Sequence, residues 1–134
     1  MTILLLALTL QSVSVAATRT VAKGWQSHVD EPRQIVVRTA EEWSELGHMI
    51  DPDRQLPEVD FSREMVVGVF LGTKPTSGFG VEIAAVRDQA DALVVQYREA
   101  HPHPGLMVAQ VLSSPYHLVA IPKRAGEVKF EKIQ

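Results

Sequence analysis

The sequence predicts an α+β fold: an antiparallel, β-rich domain of about seven short strands with one N-terminal helix packed on the sheet. Three observations carry this. A single capped, amphipathic stretch lies at 39–50; an unbroken apolar run, Met65-Val66-Val67-Gly68-Val69-Phe70-Leu71, follows it; and from residue 72 onward, short β-favouring runs alternate with turn signals.

The elements follow in chain order. Gln34-Ile35-Val36-Val37-Arg38 reads as a strand. Thr39-Ala40-Glu41-Glu42 has the spacing of a capping box, with Thr39 as N-cap and Glu42 reaching back to it. Trp43, Leu46, Met49 and Ile50 then fall three and four apart, one apolar stripe of a helix of about three turns that Gly47 weakens and Pro52 ends. Trp43 is expected in the core between helix and sheet. A loop at 51–60 leads to the 65–71 run, which reads as a strand buried on both faces. Beyond residue 80 the pattern suggests hairpins, with strands at 81–86, 93–98, 107–112, 116–121 and 128–131 separated by turns.

The chain divides into three segments. Residues 1–17 read as a signal peptide, an apolar stretch shorter than the roughly 18 residues of a spanning helix, with Val15 and Ala17 suiting cleavage after Ala17. Residues 18–33 are polar, with Trp25 isolated and little to form a core. Residues 34–134 form the domain. The expected location is exported, periplasmic or secreted, with no stable membrane anchor after signal cleavage.

Composition removes several function classes. The 134 residues amount to one domain, and 46% hydrophobic content is enough for a core. A formal charge of −3 gives no basic field, so no nucleic-acid partner is expected. No cysteine is present, which excludes disulfides, thiol catalysis and thiolate metal sites.

The segment Gly72-Thr73-Lys74-Pro75-Thr76-Ser77-Gly78-Phe79-Gly80 leaves the middle of the predicted sheet. It is not a phosphate loop, because five residues separate Gly72 from Gly78 and Phe79 stands where lysine is required. Pro-Thr-Ser-Gly-Phe resembles the Asn-Pro-Thr-Thr-Gly-aromatic loop of chagasin-type cysteine-protease inhibitors, with Lys74 where asparagine is expected. On that reading Lys74, Thr76, Ser77, Gly78 and Phe79 form a partner-binding wedge. The simpler reading is a connection whose Phe79 folds back onto the sheet.

Other polar clusters point to no reaction. Glu99, His101 and His103 would share one face of a continuing strand, but Pro102 and Pro104 break it, so a solvated turn is expected and no metal or other cofactor. Ser113-Ser114-Pro115-Tyr116-His117 contains no Gly-x-Ser-x-Gly elbow and reads as structural, with the Tyr116 ring buried and its hydroxyl on a backbone partner. No catalytic residues are assigned, and the protein is expected not to be an enzyme.

The glycine loop and the later run from Gln110 through Ser113-Ser114-Pro115-Tyr116 to Lys123 carry a resemblance. With the Glu41-Glu42-Trp43 motif ahead of them and the break at 99–104 between them, they resemble the PrcB C-terminal domain family over approximately 35–133. The resemblance implies the fold and a non-catalytic, protein-binding role. The family is named for an accessory lipoprotein of a bacterial surface protease complex, which supports the protease without being one. The partner implied is thus an exported protease or another exported protein. Lacking a cysteine for lipidation, an exported form of this chain is expected to be soluble. A protease inhibitor using the 72–80 loop is the alternative.

Overall fold

A strand that is apolar at every position needs cover on both faces, and this chain supplies it with a helix on one side and a second sheet on the other. The computed structural model describes residues 14–134. The elements are β1 (Ser14–Val15), β2 (Arg19–Gly24), β3 (Arg33–Val37), α1 (Ala40–Ile50), β4 (Glu64–Phe70), β5 (Gly80–Asp88), β6 (Ala92–Ala100), β7 (Tyr116–Pro122) and β8 (Glu127–Lys132). They form two four-stranded sheets, ordered β2-β7-β4-β3 and β1-β5-β6-β8. Every pairing is antiparallel except β6 with β8. The α+β, mainly antiparallel architecture is the expected one.

The alternation of side chains along β4 and β7 sorts the core into two layers. Val66 and Phe70 of β4 and Tyr116, Leu118 and Ala120 of β7 face α1 and pack with Trp43, Leu46 and Ile50. Met65, Val67 and Val69, with Val119 and Ile121, face the other sheet and meet Val81, Ile83, Val86, Leu93 and Val95. The order is therefore helix, sheet, sheet, with β4 and β7 at the centre. His117 lies on the inter-sheet side and is also buried.

Helix α1 starts where its cap predicts. The Thr39 hydroxyl oxygen accepts from the Glu42 backbone N–H at 3.2 Å, while the hydroxyl itself donates to Glu42 Oε1 at 3.1 Å. Trp43 Nε1 donates to the Pro57 carbonyl at 2.9 Å, and its ring lies 6.3 Å from that of Phe61. This fastens the 51–60 loop against the helix. Of the predicted stripe, Met49 is the exception: it is exposed, with its sulfur 3.6 Å from an Arg33 guanidinium nitrogen.

Two sequence expectations are corrected. Residues 107–112 do not form a strand; they follow the break at Pro102, Pro104 and Gly105 (φ +86°), and the single bridge nearby, between Lys74 and Ser113, lies just beyond them. The polar stretch 18–33 contains β2, paired along β7, and contributes buried Val21 and Val29 to the core. The last strand, β8, joins the sheet of β5 and β6, parallel to β6. The described residues hold eight strands, in keeping with the expected count of about seven: β1 and β2 are gained and 107–112 is lost. Of the expected signal segment, residues 1–13 lie outside the described residues, whereas Ser14 and Val15 pair with Asp88 and Arg87.

Candidate functional site

Three connections meet at one end of the sandwich, where β2, β4 and β6 stop and β3, β5 and β7 begin. They are 25–32, the glycine loop 71–79, and the long connection 101–115. Each is short of regular structure, so its backbone groups need partners elsewhere, and they find them in one another.

The glycine loop is tied at both ends. Gly72 has φ +76°, and a Cβ there would lie 2.7 Å from the Asp30 carbonyl oxygen, so only glycine lets the loop pass this close to 25–32. Thr73 N–H donates to that carbonyl at 2.9 Å, and the Thr73 hydroxyl to the Asp30 carboxylate at 3.1 Å. Lys74 and Ser113 exchange two backbone hydrogen bonds, at 2.7 and 3.0 Å. Ser77 N–H donates to the Ala109 carbonyl at 3.1 Å, and Ala109 N–H to the Ser77 hydroxyl at 2.9 Å. The Ser113 hydroxyl donates to the Thr76 carbonyl at 2.7 Å. The third connection is fixed in the same way: Ser114 N–H donates to the Trp25 carbonyl, and the Ser114 hydroxyl both accepts from Ser27 N–H and donates to the Ser27 carbonyl.

The five residues predicted for partner binding thus sit together. Thr76 and Ser77 direct polar atoms to 109–113. Gly78, at φ +92°, packs so closely on Pro102 that a Cβ would come within 3.0 Å of its ring. Phe79 is half-buried, edge-on to the His101 ring at 5.9 Å, with Lys74 Nζ 5.6 Å from its centroid. The aromatic ring of the loop is therefore held between two neighbours and does not project freely.

What projects is apolar and comes from the flanking connections. Met107 is fully exposed, Leu106 and Val111 are exposed, Leu112 is 66% and Trp25 52% exposed. Beside Leu112, a cleft of about 400 Å³ is lined by Gln26, His28, Asp30, Thr73 and Ser113. A further cleft, about 450 Å³, lies between α1 and the 51–58 loop, with Trp43, His48 and Arg54 in its wall. Met107, Val111 and Leu112 escape the sequence reading because 107–112 reads as a strand; the signal that could have found them is the Pro102, Pro104, Gly105 break just ahead.

The polar clusters have defined partners. His117 Nδ1 accepts from Ile83 N–H at 2.8 Å and its Nε2 lies 2.9 Å from Thr20 Oγ1, so neither nitrogen faces a serine, while both adjacent serine hydroxyls donate to carbonyls. Burial holds the His117 ring below its ordinary pKa; Lys23 adds to this and Glu82 opposes it. The Tyr116 ring is buried and stacks on Phe70 at 5.7 Å; its hydroxyl is pushed up in pKa by burial. Glu99 pairs with Lys132 at 2.9 Å and has His101 at 4.0 Å. That hydrogen bond is the main reason the Lys132 ammonium titrates above its ordinary value. Among the described residues, no three His, Asp or Glu side chains are grouped to hold a metal ion.

Comparison with curated proteins and with solved structures gives no match. Comparison with family models does: residues 65–122 match PrcB C-terminal. The matched stretch runs from β4 to the end of β7 and contains both the glycine loop and the 101–115 connection. The central strands and two of the three connections that build this surface therefore lie within the stretch that matches the PrcB C-terminal family model.

Proposed function

We propose that the protein is an exported, non-catalytic binding domain that associates with a protease as an accessory subunit, gripping it with the loop end built by Trp25, the glycine loop and residues 106–112. The observation that carries this reading is the set of exposed large apolar side chains, Trp25, Leu106, Met107, Val111 and Leu112, on connections that are fastened to one another. Exposed apolar groups on a held surface suit partner binding, because little conformational entropy is lost when they are covered. The family connection supports a protease-related partner. In this reading Lys74 and Phe79 shape the surface, Thr76, Ser77 and Gly78 hold it, and the apolar side chains make the contact.

The test is affinity capture with the full chain from the exported fraction of the source cells, identifying partners by mass and assaying the captured complex for proteolysis. The expected result is an active protease retained by the parent and lost from a Met107→Asp, Leu112→Asp double variant that unfolds at the parent's urea concentration. Loss of proteolysis on adding the chain would instead favour an inhibitor acting through 72–80, and Phe79→Ala would then relieve it. Absence of any protease from the capture would overturn both. The N-terminal sequence of the chain recovered from the same fraction decides export and the cut after Ala17 independently.

A further inference from the structure

We propose that His117 is a proton-operated latch that holds β5, and with it the start of the loop end, onto β7 of the opposite sheet. This stands apart from what the loop end binds. Among the described residues, the outer edge of β5 has a strand partner only at its far end, where β1 pairs with Arg87 and Asp88 and Ala16 N–H donates to the Val86 carbonyl. Nearer the glycine loop, where no strand among the described residues lies beside it, the outward N–H of Ile83 donates to His117 Nδ1, at 2.8 Å, from the other sheet. The β5–β6 register also shifts between Ile83 and Ala85, so the strand is irregular where the imidazole meets it.

The partners fix the proton. A backbone N–H only donates, so Nδ1 is the bare nitrogen and Nε2 carries the hydrogen, which it donates to Thr20 Oγ1 on β2 at 2.9 Å. One neutral ring thereby joins β2, β7 and β5. A second proton must go to Nδ1, where it would face the Ile83 N–H, two donors with no acceptor between them in a buried position. The Thr20 bond survives protonation and the Ile83 bond does not, so the break falls at β5. The charged groups around the ring are Lys23 on β2, which opposes protonation, and Glu82 on β5, which favours it; β4 offers only Val69 at the paired position. Ile83 lies just after Gly80, so its release loosens the anchor of the glycine loop.

The experiment is residue-resolved amide hydrogen exchange on the full chain at pH 7.5 and pH 5.0, corrected for the pH dependence of chemical exchange. Ile83 protection is expected to fall by about tenfold for each pH unit between 6.5 and the pKa of the folded ring. Val67, in the middle of β4, should fall much less. A His117→Gln variant, which keeps an acceptor without a titrating ring, should show Ile83 protection that is flat with pH. Unchanged Ile83 protection in the parent, or an equal loss at Val67, would overturn the latch, as would the same pH dependence in the variant. Should the variant not fold, the ring nitrogen shifts of the parent decide: the Ile83 amide must move with the His117 titration, and a ring that protonates while Ile83 stays still refutes the proposal.

Discussion

Gly68 sits in the middle of β4 opposite Leu118, and a Cβ there would overlap Leu118 Cδ2 and crowd Ile35 Cγ1. The vacancy on the glycine is filled by its neighbours, so Gly68→Ala is an overpacking change. It is expected to destabilise the protein by about 1–3 kcal/mol in urea unfolding, with an unchanged slope. His117 yields a second prediction at this scale. Its folded pKa lies below the ordinary 6.5, so an unfolding chain takes up a proton as pH drops. Its contribution to stability is complete above pH 6.5 and is lost as pH falls towards the folded value. Urea midpoints at pH 7.5 and 5.5 should differ in that direction, and less so in His117→Gln. The sequence showed Gly68 as part of a buried strand and the loop 72–80 as shaped, but not why. Leu118 is far along the chain from Gly68, and Thr76, Ser77 and Phe79 acquire their partners, Ser113, Ala109 and His101, only when the connection 101–115 folds beside them.

Among the elements, α1 was the most legible, since its cap, its stripe and its terminating proline are all local. Leu46 is buried between the helix and β4, so Leu46→Ala is expected to cost about 2–5 kcal/mol. Thr39→Ala, removing the hydroxyl that accepts from Glu42 N–H, should cost about 1 kcal/mol. Thermal or urea unfolding monitored by far-UV circular dichroism separates the two. β2 was illegible for a physical reason: it is an edge strand with a register shift between Thr20 and Ala22, and Val21 is its one fully buried apolar residue, so no alternation stands out. The 107–112 run failed in the opposite sense. Its apolar residues imitate a strand, but a strand exists only with a partner, and the prolines before it turn the chain away from one.

At the scale of the molecule, sheet assignment was the part that local pattern could not supply, because β7 and β8 are adjacent in sequence yet belong to different sheets. β8 brings Val128 and Phe130 against the inter-sheet core and covers the edge of β6. Removing residues 127–134 is therefore expected to bare both an apolar face and an unpaired edge. The shortened chain should bind more of a hydrophobic dye than the full chain and elute as larger species in size-exclusion chromatography. The parallel placement of β8 also orders events in time. Every other strand of its sheet is made earlier, yet the sandwich cannot shut until Glu127–Lys132 has emerged and crossed back over β7 to lie along β6. On the ribosome, the nascent chain carries an open seam next to Val95 from the time β6 is made until β8 has emerged, and a chaperone that recognises short apolar strands has its opportunity there.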